Sequence, residues 1–72
     1  MSIFDKIRDC LIREGYAEDP QLDTRLADLD ADSIERAYLL LELEEAIGKQ
    51  IPDDDFQKLC TVQDVVNYAE RA

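Results

Sequence analysis

Apolar residues recur along the chain at helical spacing, in blocks separated by acidic or glycine-bearing breaks. Ile3, Ile7, Cys10 and Leu11 follow the i, i+4, i+7, i+8 pattern of one buried helix face. Ser2 stands before them as a cap, with Asp5 as its capping-box partner. Gly15 falls where a left-handed residue ends a helix, so the first helix is predicted from about Ser2 to Glu14. From Tyr16 to Ala31 the pattern breaks around Pro20, which predicts a long connection. Leu22, Leu26 and Leu29 are expected to pin it to the core through a short helical turn.

A second helix is predicted to start at Asp32 or Ser33. Asp32 at the cap would accept from the Glu35 N–H, and Gly48 closes the helix after Ile47. At about 100° per residue, Leu39, Leu43 and Ile47 cluster with Leu40 at their edge, while Ile34, Tyr38, Leu41 and Glu45 fall on the far side. One stripe serves a core; the other is left for water or a partner. Ile51-Pro52 forbids continuation. Asp53, Asp54 and Asp55 then place negative charge at the start of a short helix reaching about Leu59. The last helix begins near Thr61, boxed by Asp64, and buries Val62, Val65, Val66 and Ala69. No stretch reads as a strand. The expected fold is all-α: a small four-helix bundle of three main helices and one short one, with a long first loop, in a single domain spanning residues 1–72.

Charge narrows the function. The chain has 18 Asp+Glu against 8 Lys+Arg, a formal net charge of −10. That opposes nucleic-acid phosphates and anionic membrane surfaces, and favours steering toward a basic patch on a protein. Two cysteines, Cys10 and Cys60, are too few for a disulfide framework and lie in apolar runs, which predicts buried free thiols. No signal-peptide pattern opens the chain and no stretch reaches transmembrane length, so a cytoplasmic setting is expected.

Enzymatic chemistry finds little to work with. There is no histidine, two cysteines do not make a zinc site, and Gly15 and Gly48 cannot form a phosphate loop. Asp28, Asp30 and Asp32 match the first ligands of a calcium loop, but Ser33 stands where its glycine belongs and Leu39 where its bidentate glutamate belongs. No catalytic residue and no specific metal site is expected, only loose association of divalent cations. Ser33 remains. With Asp32 able to supply the cap, its hydroxyl is free at a helix N-terminus, a favourable place for a phosphate ester. Between Asp28 and Glu45 stand seven acids and one base. Together with the second apolar stripe, these features describe a docking surface beside an attachment point.

Asp32-Ser33-Ile34, then Leu43-Glu44-Glu45, then Ile51-Pro52-Asp53, then Thr61-Val62 with Asp64 resemble the acyl carrier protein family, in order and at consistent spacing from about Leu29 to Tyr68. The resemblance implies a stand-alone, non-enzymatic carrier. Ser33 would take 4′-phosphopantetheine from coenzyme A through a phosphopantetheinyl transferase, assisted by Asp32, and the arm's thiol would carry an acyl or aminoacyl thioester. Ile34, Glu35, Tyr38, Leu41, Glu44 and Glu45 would face the transferase and the loading ligase and synthase enzymes. The net charge leans toward an acyl cargo and a monomer is expected. The chain departs from the usual pattern at Ile34 (commonly leucine), at Asp30 (frequently glycine), and at Arg36 and Tyr38, on a face general fatty-acid carriers keep free of basic and aromatic side chains. Those departures favour a specialised fatty-acid, polyketide-type or related pathway, although Tyr38 also reads as an ordinary surface residue. The competing reading is an unmodified acidic helical adaptor that binds a partner through its second helix.

Overall fold

The computed structural model describes residues 2–71. Among the described residues four α-helices follow one another: α1 (Ile3–Arg13), α2 (Ser33–Ile47), α3 (Asp53–Phe56) and α4 (Val62–Glu70), with a 3₁₀ turn at Leu26–Asp28 between α1 and α2. No strand occurs among the described residues; the nearest thing is a single antiparallel bridge between Arg25 and Thr61. The all-α expectation holds.

Each helix begins and ends for local reasons. The Ser2 hydroxyl accepts the Asp5 N–H at 3.1 Å, capping α1. At its other end Gly15 takes φ +79°, the Gly15 N–H donates to the Ile12 carbonyl, and the Tyr16 N–H donates back to Leu11 at 2.9 Å. This is the paired closure that a left-handed residue permits, and Tyr16 lands buried beside it. Gly48, at φ +69°, closes α2 in the same backbone region. The last helix opens on a complete capping box: Thr61 Oγ1 accepts from the Asp64 N–H, and Asp64 Oδ2 accepts from the N–H groups of Cys60 and Thr61.

The core lies where α1 packs on α2 and α4. Ile7 and Leu11 of α1, Leu39 and Leu43 of α2, and Val62 and Val65 of α4 are fully shielded. Leu26, Leu29 and Ile51 complete it from the connections. Ile3, Ala69 and Ile47, expected inside, sit half-buried at its margin, and Leu40 lies half-buried at the edge where it was expected.

The long connection is held by more than the predicted leucines. Leu26 and Leu29 are buried, but Leu22 is 40% exposed, contrary to expectation. Its backbone supplies the anchor instead. The Gln63 N–H donates to the Leu22 carbonyl at 2.8 Å, Val62 donates to Thr24, and Leu26 donates to the Cys60 carbonyl. Those three bonds pair the loop with Cys60 and the first turn of α4, leaving the Leu22 side chain free to face water. Two further differences concern the end of the third helix. It stops at Phe56 rather than Leu59, and Cys60 is exposed rather than buried. With Leu59 turned inward to the core margin and Thr61 in extended backbone, the side chain between them faces outward.

Candidate functional site: the start of α2

Three constraints fix the first turn of α2. The Asp30 N–H donates to the Tyr16 carbonyl at 3.0 Å, which draws both ends of the long connection together. The Tyr16 hydroxyl donates to the Glu35 carbonyl at 3.4 Å, a longer contact from the core side. Asp32 Oδ1 then accepts the Glu35 N–H at 2.8 Å, and Glu35 Oε1 accepts the Asp32 N–H at 3.3 Å. Two orphan donors are satisfied by acidic side chains alone.

Ser33 therefore occupies the first helical position rather than the cap. It is exposed, and its hydroxyl makes no hydrogen bond among the described residues. The N–H groups of Ser33 and Ile34 likewise find no partner among the described residues, since Asp32 and Glu35 spend their carboxylates on each other's N–H. An exposed nucleophilic oxygen with open N–H groups beside it suits a phosphodiester, which needs an attachment oxygen and donors for its remaining oxygens.

Behind this turn, one flank of α2 lies open. Ile34 is 69% exposed, and Tyr38 and Leu41 are each 61% exposed. With exposed Glu45 they form one line down the helix, opposite fully shielded Leu39 and Leu43. Glu35 is exposed although its carboxylate is held by the Asp32 N–H. Glu44 is placed differently from the others. Its Oε2 accepts the Ile51 N–H at 2.7 Å, so this half-buried side chain turns toward the connection after α2. Arg36 also leaves the open flank: it donates from Nη2 to the Leu26 carbonyl at 3.2 Å and lies half-buried against the 3₁₀ turn. The family resemblance had placed Arg36 on one face with Tyr38.

A cleft of about 750 Å³ opens on that other side of α2. Arg25, Leu26 and Ala27 of the long connection, Arg36 of α2, Phe56 and Gln57 near α3, and Leu59, Cys60 and Thr61 of the strap before α4 line it. Arg36 is one helical turn beyond Ser33, so the cleft opens beside that serine. Sequence reasoning did not find this cleft, because residues from four segments meet only in the fold. It also missed Tyr16, which the closure at Gly15 could have flagged as an inward apolar residue.

The two thiols differ. Burial, reinforced by the Glu42 carboxylate, pushes the Cys10 thiol up to about 11, so it is neutral and unreactive at ordinary pH. Cys60 is exposed in the cleft wall. No group of three or more metal-ligating side chains occurs among the described residues.

The sequence model of the family described as "Phosphopantetheine attachment site" matches residues 5–69. The chain belongs to the acyl carrier protein family. It is 40% identical to the acyl carrier protein of Campylobacter concisus, across 99% of this chain and 96% of that protein. It is 43% identical to the acyl carrier protein of Lactobacillus acidophilus, across 92% and 86% respectively. Acyl carrier proteins hold 4′-phosphopantetheine covalently, and the free hydroxyl at the start of α2 fits such a group. No helix among the described residues is long and apolar enough to cross a membrane.

Proposed function

We propose that Ser33 is the attachment residue and that residues 1–72 work as one stand-alone carrier domain, monomeric and cytoplasmic, presenting an acyl group rather than catalysing its chemistry. One observation supports this above the rest: Asp32 takes the cap, leaving the Ser33 hydroxyl exposed and without a partner among the described residues. In the attachment step Ser33 Oγ forms a bond to the pantetheine-side phosphorus of coenzyme A. The pyrophosphate bond breaks, adenosine bisphosphate leaves, and the serine proton passes to a base on the transferase. Asp32, beside the nucleophile and exposed, assists the transferase at that step. Once bound, the arm supplies a thiol that carries its cargo as a thioester.

Ile34, Tyr38 and Leu41 give partner enzymes an apolar line, and Glu35 and Glu45 flank it with charge for their basic patches. Glu44 contributes through field more than contact, since its carboxylate is held by Ile51. The aromatic Tyr38 in this line supports a dedicated ligase or synthase and a specialised fatty-acid, polyketide-type or related pathway.

The test is a mass spectrum after incubation with coenzyme A and a promiscuous phosphopantetheinyl transferase. The wild-type chain is expected to gain one phosphopantetheine and Ser33→Ala none. No gain by folded wild-type protein would leave only the acidic adaptor.

A further inference from the structure

Two of the eight basic residues in a chain of net charge −10 line one largely apolar cleft. Neither Arg25 nor Arg36 makes an ion pair among the described residues, whereas Arg8 pairs with Asp19 and Arg13 with Asp9 and Glu42. Lys49 is held by the carbonyls of Tyr68 and Arg71. A guanidinium has five donors, and Arg36 gives one to Leu26. The rest are available beside Leu26, Phe56 and Leu59, where partial burial strengthens a charge-assisted hydrogen bond.

Charge complementarity identifies an occupant. We propose that this cleft receives the far end of the carried chain and prefers an acyl cargo that terminates in a carboxylate, with Arg25 and Arg36 as its specificity-determining residues. This rests on the carrier reading, because the tether on Ser33, one turn from Arg36, delivers the cargo. The hydrocarbon of the cargo lies along Leu26, Phe56 and Leu59, and its carboxylate meets the two guanidinium groups. Elsewhere the acidic surface repels an anion, so the preference must come from these arginines. An unpaired carboxylate in an apolar wall is strongly disfavoured. Removing the positive charge should therefore reverse the preference rather than merely level it.

Cys60 provides a readout that needs no partner enzyme, since its exposed thiol lies in the cleft wall. Coenzyme A is S-alkylated with chains of equal length ending in a methyl or a carboxylate, giving stable thioethers. A promiscuous transferase installs each on the full chain, and the mass of each product is recorded. Alkylation of Cys60 is then timed; buried Cys10 does not compete. The carboxylate chain is expected to slow Cys60 by about tenfold more than the methyl chain, a ratio that one charge-assisted hydrogen bond supports. Arg36→Gln should make the methyl chain the better protector. Because Arg36 also holds Leu26, exposed Arg25→Gln serves as the second variant and is expected to shift the preference the same way. Equal protection by the two chains, or none by either, would overturn the proposal while leaving the carrier reading intact. A wild-type chain that gains no mass would overturn both.

Discussion

At the start of α4 the Thr61 hydroxyl accepts the Asp64 N–H at 3.2 Å and Asp64 answers with its carboxylate. At the start of α2 the same exchange runs between Asp32 and Glu35, two acids, and the hydroxyl comes one residue later. The bodies of the two helices differ in parallel. Val62, Val65 and Val66 give α4 a single buried face, while α2 buries Leu39 and Leu43 and exposes Ile34, Tyr38 and Leu41 opposite them. Taken together, these contrasts separate groups that hold the fold from groups the fold holds out. A side chain is available for chemistry or docking when neighbours of another kind already meet the local structural demand.

The sharpest way to break this contrast is across α2 itself. Leu43→Ala removes a fully shielded side chain and should cost about 2–5 kcal/mol, a large share of the stability of so small a domain. Leu41→Ala, on the open flank, should stay within about 0.5 kcal/mol. Urea denaturation with matched m-values measures both. Comparable losses would show that the outer stripe is structural and would remove the docking surface.

The hydroxyls give a smaller effect. Thr61→Ala removes a cap and should cost about 1 kcal/mol. Ser33→Ala should leave the melting midpoint nearly unchanged, since alanine suits a first-turn helical position and no hydrogen bond is lost. A loss at Ser33 equal to that at Thr61 would mean that its oxygen serves the fold.

What the sequence discloses of this molecule is what neighbours in sequence decide. The caps at Ser2, Asp32 and Thr61, the closures at Gly15 and Gly48, and the two stripes of α2 all depend on residues within one or two turns. The position and freedom of Ser33 belong to this class, so the candidate attachment point was legible. Placements set by distant segments were not. The exposure of Leu22 follows from backbone pairing with the first turn of α4, and Cys60 stands exposed between inward Leu59 and the cap at Thr61. Arg36 and Glu44 share a helix with Tyr38 and Glu45, but each finds a carbonyl or N–H in a connection that helical periodicity cannot locate. The cleft is the extreme case: no two of its walls come from the same helix.

Acid provides the finest test of the difference between the two helix starts. Backbone N–H groups of Cys60 and Thr61 hold the Asp64 carboxyl below the usual carboxylate range. With its folded pKa below the unfolded one, the unfolded state binds the proton first. The contribution is therefore complete above the ordinary carboxylate range and is lost as pH falls through the lowered folded value. Protonation elsewhere relieves self-repulsion among 18 acids and pulls the other way, so the absolute melting curve mixes two effects of opposite sign. The difference between wild type and Asp64→Asn isolates the first, since the amide retains an acceptor oxygen but does not titrate. That difference should be largest near neutral pH and narrow on acidification. A gap unchanged by acid would mean that geometry at the start of α4, rather than ionised Asp64, distinguishes it from the wholly acidic cap that leaves Ser33 free.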